Sequence, residues 1–161
     1  MYKRQLDVLN ARGLWGGVAI NGSATQNTAS GYAQGEGFTG EYGGGTSPND
    51  SDNSGSMTYV QIRYAGYPIT ADDELNTISL HAVGSGTTLD YIHSHNGADD
   101  GIEFYGGTIN AKHILITGQD DDALDWTNGW TGNLQHVVIK HTTSGDTVSY
   151  THLTLPTTRL V

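Results

Sequence analysis

Short stretches in which apolar and polar residues alternate recur along this chain, and turn residues separate them. The stretches are rich in Val, Ile, Tyr and Thr, whereas Gly, Ser, Asn and Asp fill the intervals between them. A period of two is typical of half-buried strands, and no long stretch has the period of a helix. The pattern therefore predicts an all-β protein.

The strand-like stretches also repeat at a nearly constant spacing. A shift of 22 positions lays "LDYIHSHNGADDGIEFYGG", from Leu89, on "AKHILITGQDDDALDWTNG", from Ala111. Further steps of 23 and 32 residues add "LQHVVIKH", from Leu134, and "MTYVQIRY", from Met57. Periods of roughly 20 to 25 residues indicate a solenoid. The leucine and asparagine spacing of the competing leucine-rich repeat is absent, so we expect a parallel β-helix with coils of about 22 residues.

Alternation within each coil assigns the two faces of its strands. The predicted inward residues are Val60, Ile62, Ile92, Ser94, Ile114, Ile116, Val137 and Ile139 in one strand per coil, and Ile78, Leu80, Ile102, Phe104, Leu124 and Trp126 in the next. "WGGVAING" (Trp15 to Gly22) predicts a strand of an earlier coil. Residues 22–56, rich in Gly, Ser and Asn, are predicted to form a long, mobile, protruding loop.

Both ends of the chain resemble translated sequencing adapter. "MYKRQ" (residues 1–5) and "VSYTHLTLPTT" within residues 148–161 match adapter reading frames, and we interpret both as scars that do not belong to the fold. Residues 6–147 are then a single β-helix fragment of a longer protein. The alternative is a genuine short N-terminus and a threonine-rich C-terminal strand.

The region between these ends is strongly acidic. It holds four basic residues and all 17 acidic residues, which gives a formal charge of −13. Such a chain is repelled by phosphate backbones, so we expect no nucleic-acid partner. No run approaches the roughly 20 apolar residues of a membrane span. The absence of cysteine excludes disulfides and thiolate chemistry.

The acidic residues are concentrated in two turns that the repeat superposes. The shift of 22 places one carboxylate over another in three pairs: Asp99 and Asp121, Asp100 and Asp122, and Glu103 and Asp125. Coils lie about 4.8 Å apart, and carboxylates at that distance repel by about 3.5 kcal/mol at an effective dielectric constant near 20. These six residues therefore form a candidate calcium site, because calcium accepts six to eight oxygen ligands. The alternative is a solvated turn whose acids are capped by backbone amides.

A second set of residues lies on the outward face of the first strand of each coil. Stacked aromatic rings with basic neighbours on a flat sheet can bind sugar rings. The candidate ligand-binding residues are Tyr59, Arg63, Tyr91, His93, His95, His113 and His136. The alternative is a half-buried column that the long loop, or missing parts of a parent protein, would cover. Transition-metal binding is disfavoured because outward columns of histidine do not converge on one point.

Several segments carry a family resemblance. "RGLWGGVAING", "GEGFTGEYGGG", "YVQIRYAG" and "GIEFYGGT" resemble a family of bacterial secreted or lipoprotein-type β-helix proteins of unassigned function, and the resemblance covers nearly all of residues 12–141. It implies a right-handed parallel β-helix of the pectate-lyase-like superfold. It also implies an extracellular or outer-membrane-surface location, but it supplies no activity.

Catalytic motifs are sparse. There is no Gly-x-Ser-x-Gly elbow; "ADDG" matches one part of the polygalacturonase series, and the Gly-His-Gly part is absent. We therefore predict a non-catalytic secreted or cell-surface module, with calcium as the candidate cofactor and polysaccharide as the candidate partner. The alternative is a lyase or glycoside hydrolase acting on acidic polysaccharide, with Asp99, Asp100, Asp121 and Asp122 as metal or acid groups.

Overall fold

A computed structural model describes residues 10–70, 74–141 and 149–151 of the chain. Within these ranges the regular structure is almost entirely β. The strands are β1 (Val18–Asn21), β2 (Ala33–Gln34), β3 (Glu41–Tyr42), β4 (Ser56–Arg63), β5 (Ile78–His81), β6 (Thr88–His95), β7 (Ile102–Tyr105), β8 (Ala111–Thr117), β9 (Leu124–Thr127), β10 (Leu134–Lys140) and β11 (Ser149–Thr151), with a short 3₁₀ segment at Glu36–Phe38.

Two parallel sheets form the body of the molecule. The five-stranded sheet has the order β1-β5-β7-β9-β11, and the four-stranded sheet has the order β10-β8-β6-β4. Successive strands of the chain alternate between the two sheets, so each coil gives one strand to each of them. A small antiparallel pair, β2 and β3, lies outside this arrangement. The architecture is a parallel β-helix, as the repeat predicts.

The strand register agrees with the internal repeat of the sequence. Ile92 pairs with Ile114 and Ile102 pairs with Leu124, both a step of 22 residues. Ile114 also pairs with Val137, which confirms the step of 23. The step of 32 between β4 and β6 is confirmed as well.

The core lies between the two sheets and contains residues that alternation assigns inward, together with buried residues from the turns such as Val83, Ile109 and Trp130. Ile78, Leu80, Ile102 and Phe104 from the five-stranded sheet are 0% exposed, and Ile92 and Ile114 from the four-stranded sheet are 1% exposed. Partly buried residues of β1, β4, β9 and β10 pack against this cluster, namely Val18, Ile20, Met57, Val60, Trp126, Val137 and Ile139. Stacking identical positions in successive coils removes their apolar surface from water, which no single coil could do.

The segment between β1 and β4 differs from the predicted protruding loop. It folds back over the outward face of the five-stranded sheet, where Tyr42 is 4% exposed and stacks on His81 with ring centroids 4.7 Å apart. Backbone hydrogen bonds attach it to the body of the molecule, from Gly22 N to His81 O (2.8 Å) and from Ala24 N to Ala82 O (2.8 Å). The composition of this segment correctly predicts that it is polar and rich in turns. Turns can, however, satisfy their polar groups against a sheet as well as in water.

The predicted scar at residues 148–161 overlaps a strand. Within it, β11 pairs with β9 in parallel, with Ser149 opposite Leu124. The pairing does not bear on the DNA origin of this segment, which stays a prediction. The predicted scar at residues 1–5 lies outside the described residues.

Candidate functional site

Four of the predicted acidic residues, Asp99, Asp100, Asp121 and Asp122, occupy the turns that lead into β7 and β9, and Glu103 and Asp125 lie on these two strands. Consecutive coils hold these turns together by backbone hydrogen bonds, from Gly101 N to Asp122 O at 2.9 Å and from Thr77 N to Asp100 O at 2.9 Å. A side chain adds to this ladder, because Asp122 N donates to Asp100 Oδ1 at 3.0 Å. The turns are therefore stacked in the register that the sequence predicts.

Five of the six predicted acidic residues come together in two groups that share one member. Asp99, Asp100 and Asp121 form one group, and Asp100, Glu103 and Asp125 form the other. In each group one oxygen per residue lies within 4.8 Å of the others. Asp100, Glu103 and Asp125 are 7–8% exposed, whereas Asp121 is exposed. We call these five residues the acidic cluster; the sixth predicted ligand, Asp122, is buried but belongs to neither group.

Burial makes the ionised form of the cluster unfavourable. It raises the pKa of Asp100 to about 10, and the charges of Asp99 and Glu103 add to the shift. Burial, followed by the charge of Glu36, raises the pKa of Glu103 to about 9. Burial, followed by the charge of Glu74, raises the pKa of Asp99 to about 6. Without a cation, the two buried carboxyls therefore hold protons at neutral pH.

Three residues around Glu103 were not predicted from the sequence. Asn76 Nδ2 donates to Glu103 Oε2 at 2.7 Å and to Glu36 Oε2 at 2.9 Å. The Tyr105 hydroxyl also donates to Glu103 Oε2. Tyr105 could have been found, because it lies two positions after Glu103 and so shares its outward face. Glu36 could not, because it lies in the covering segment, outside the repeat.

The predicted outward column on the four-stranded sheet is a continuous stack of rings. Centroids are 4.5 Å apart for Tyr59 and Tyr91, 4.3 Å for Tyr91 and His113, and 4.9 Å for His113 and His136. Adjacent ring planes are within 13° of parallel. We call these four residues the aromatic ladder.

All four residues of the ladder have a left-handed backbone. Their φ angles lie between 50° and 59°, a conformation that costs a non-glycine residue roughly 1–2 kcal/mol. The same bend recurs in four consecutive coils and turns each ring outward in register with the next. Backbone strain that recurs at one surface is typical of a functional position.

Polar side chains border the ladder on the same face. Gln61 Nε2 lies 2.5 Å from His93 Nδ1, and both His93 Nε2 (2.9 Å) and His95 Nδ1 (2.7 Å) contact Thr117 Oγ1. Burial, and next the charge of Arg63, lowers the pKa of both His93 and His95. All seven predicted ligand-binding residues thus lie on one surface.

One member of the ladder has an acidic partner. His113 Nδ1 lies 2.8 Å from Asp90 Oδ1, and both side chains are about one third exposed, at 37% and 30%. The pair fixes the ring of His113 in the stack. It also adds a negative charge to a face otherwise rich in histidine and arginine.

Two parallel sheets joined coil by coil, with an acidic turn on one side and an aromatic column on the other, define a parallel β-helix protein. The family model of the pectate-lyase-like β-helix domain matches residues 7–151. The chain belongs to that family. No curated protein and no solved structure matches the chain significantly. Among the described residues, no helix is long and apolar enough to cross a membrane.

Proposed function

We propose that this protein is a non-catalytic β-helix module that binds polysaccharide on the outward face of its four-stranded sheet. The observation that carries the proposal is the aromatic ladder, an ordered row of rings on an open surface. Tyr59 is 79% exposed and Tyr91 is 43% exposed. Aromatic rings with polar tips at a surface are suited to sugars, which offer apolar faces and a rim of hydroxyls.

The polar neighbours support a sugar ligand over an apolar one. Arg63, Gln61 and His93 border the ladder and supply hydrogen-bond donors and acceptors for hydroxyl or carboxylate groups. Lys112 and Lys140 are exposed on the same sheet. A polysaccharide partner would fit an extracellular or bacterial outer-membrane-surface location, which we include in the proposal.

Affinity electrophoresis in gels containing polygalacturonate, xylan or a neutral β-glucan tests this function. We expect at least one polysaccharide to retard the protein, and Tyr91→Ala to abolish much of the retardation. Tyr32→Ala is a matched control, because Tyr32 is 44% exposed but lies in the segment that covers the other sheet. Absence of retardation by every polysaccharide, or equal loss in both variants, would contradict the proposal.

We further propose that the acidic cluster holds a calcium ion that stabilises the fold. The donor set fits this ion: carboxylate oxygens from adjacent coils converge in two groups, and calcium tolerates irregular oxygen coordination. A bound cation would relieve the repulsion and desolvation that raise the pKa values of Asp100 and Glu103. Asp100 belongs to both groups and would be the central ligand.

Proton release provides a direct test of calcium binding. Because the buried carboxyls are protonated at neutral pH, binding should displace protons into solution. Calorimetric titration at pH 7 in two buffers of different ionisation enthalpy measures the number released. We expect release in the native protein and none in Asp100→Asn. An exothermic signal that does not depend on the buffer would contradict displacement at this cluster.

An enzyme acting on acidic polysaccharide is the second candidate. The observation that favours it is Asp99, whose raised pKa of about 6 suits a general acid and which lies beside the exposed Asp121. Incubation with polygalacturonate distinguishes the two candidates. A lyase would generate ultraviolet-absorbing unsaturated ends and a hydrolase would generate reducing ends, whereas the binding module generates neither.

A further inference from the structure

Most ring faces in the aromatic ladder are covered by a neighbouring ring of the ladder. Tyr91 and His113 each have a ring stacked on both sides, at 4.3–4.9 Å. A ligand cannot stack on a face that is already occupied. It can only touch the ring edges, or stack on the outer face of an end ring, which belongs to Tyr59 or His136.

The two ends of the ladder differ in their surroundings. Tyr59 lies on β4, an edge strand of the four-stranded sheet, and it is the most exposed of the large hydrophobic residues described, at 79%. Among the described residues, the only ring stacked on it is Tyr91. At the other end, the next outward residue after His136 is the apolar Val138, which is 61% exposed.

The Tyr59 end has polar groups at both of the next outward positions, whereas the His136 end has the apolar Val138 and then Lys140. Gln61 and Arg63 follow Tyr59 on the outward face of the same strand. The contact of Gln61 with His93 at 2.5 Å fixes its amide group. The guanidinium of Arg63 donates from Nη2 to the Tyr64 hydroxyl at 2.8 Å and lies 4.9 Å from the centre of that ring, which fixes the guanidinium over Tyr64.

We infer that the outer face of Tyr59 is the primary sugar-binding position, where one pyranose ring packs as the next ring of the stack. The inference rests on the proposed polysaccharide-binding function and specifies its site. Rings of the ladder are 4.3–4.9 Å apart, and a sugar ring on Tyr59 would continue this spacing beyond β4. Gln61 and Arg63 would then bind its hydroxyl or carboxylate groups, and the polysaccharide chain would run past the edge of the sheet.

Variants of the two end rings test this position. Affinity electrophoresis uses whichever of polygalacturonate, xylan or β-glucan retards the native protein. We expect Tyr59→Ala to weaken binding about tenfold, the equivalent of one lost aromatic contact. Tyr59→Phe, which keeps the ring face, should stay within about twofold of the native affinity. His136→Ala should lose less than Tyr59→Ala, and Val138→Ala is the matched surface control.

The possible failures are distinct. If no polysaccharide retards the native protein, the proposed function is wrong, and this position with it. If the native protein binds and Tyr91→Ala weakens binding while Tyr59→Ala does not, the face binds polysaccharide but the Tyr59 position is wrong. Equal losses in Tyr59→Ala and His136→Ala would mean that the ligand crosses the ring edges, which also overturns the position. Circular dichroism of each variant confirms that the fold is retained.

Discussion

The outward faces of the two sheets carry similar aromatic contacts in opposite surroundings. On the five-stranded sheet, Tyr42 stacks on His81 at 4.7 Å and is 4% exposed. On the four-stranded sheet, Tyr59 stacks on Tyr91 at 4.5 Å and is 79% exposed. The covering segment makes this difference, because it reaches over only one of the sheets. A stacked ring under a cover contributes to stability, whereas the same contact in the open leaves a ring available to a ligand.

Charge is divided between the two faces in the same way. The covered face gathers carboxyls, and burial there raises the pKa of Asp100 and of Glu103. The open face gathers histidine and arginine. Burial and Arg63 lower the pKa of His93 and His95, so their rings are mainly neutral at pH 7. At neutral pH the covered face therefore holds protonated carboxyls, and the open face offers neutral and cationic hydrogen-bonding groups.

The largest effect should come from placing a charge at an inward position of a strand, compared with truncating the outward residue next to it. Ile114 is 1% exposed in the core, and His113 beside it points outward. We expect Ile114→Asp to unfold the protein, because an unpaired buried charge costs several kcal/mol. His113→Ala should lower the unfolding free energy by about 1 kcal/mol or less. Urea unfolding followed by circular dichroism measures both, and equal losses would mean that the two faces are misassigned.

The next effect compares tyrosines on the two faces. We expect Tyr42→Ala to cost about 3 kcal/mol, at the lower end of values for truncating a buried aromatic residue. Tyr59→Ala should cost less than about 1 kcal/mol, because its ring is already in water. The same urea unfolding experiment measures both values. A small loss for Tyr42→Ala would mean that the segment before β4 protrudes from the body in solution, as its composition predicts.

The repeat made the fold and most of the acidic cluster predictable. Equivalent positions of successive coils stack in a single register, so the shift of 22 residues determines which carboxylates lie next to each other. The covering segment was not predictable, because it follows no period and its contacts with His81 and Asn76 depend on tertiary packing. The left-handed bends were not predictable either, since positive φ is uncommon in any residue other than glycine and nothing in the sequence marks these four positions. Exposure, which distinguishes the two faces, depends on both of these features.

Per pH unit, a smaller effect is the pH dependence of stability, measured in chelator. In the folded protein the pKa is about 10 for Asp100 and about 9 for Glu103, whereas unfolded carboxyls titrate near 4. Unfolding at pH 7.5 to 9 therefore releases protons, and the unfolding free energy should fall as the pH rises. The slope is at most about 1.4 kcal/mol per pH unit for each group. Urea unfolding at several pH values in this window measures it.

The pH range of 7.5 to 9 is used because His81, which changes the unfolding free energy in the opposite direction, does not titrate there. Burial lowers the pKa of His81 to about 4, so it destabilises the fold only when the pH falls through the unfolded value near 6.5. Above pH 7.5 this histidine is neutral in both states. Asp100→Asn should flatten the slope, while Asp90→Asn on the open face should leave it unchanged. A slope that is flat or rising in the native protein would show that the buried carboxyls are ionised.

The smallest expected effect is stabilisation by calcium at the covered face. A site in turns of this kind should have a dissociation constant of about 10⁻⁴ to 10⁻³ M. At ten times that concentration, binding adds about 1.4 kcal/mol to the unfolding free energy, which raises the melting temperature by a few degrees. Magnesium should do less, because it requires stricter octahedral geometry. The shift should be larger at pH 8 than at pH 6, since protons compete less with calcium for the carboxyls at the lower proton concentration.

Two variants locate this effect. Asp100→Asn removes the residue that both groups share, so it should abolish the calcium shift. Asp120→Asn is the matched control: Asp120 lies in the same acidic run but belongs to neither group, and its Oδ1 is 3.2 Å from Arg12 Nε. A full calcium response in Asp100→Asn would place the ion elsewhere. If Asp100→Asn instead raises the melting temperature without calcium, and calcium shifts neither protein, the Asp100 carboxyl destabilises the fold and the cluster does not bind calcium.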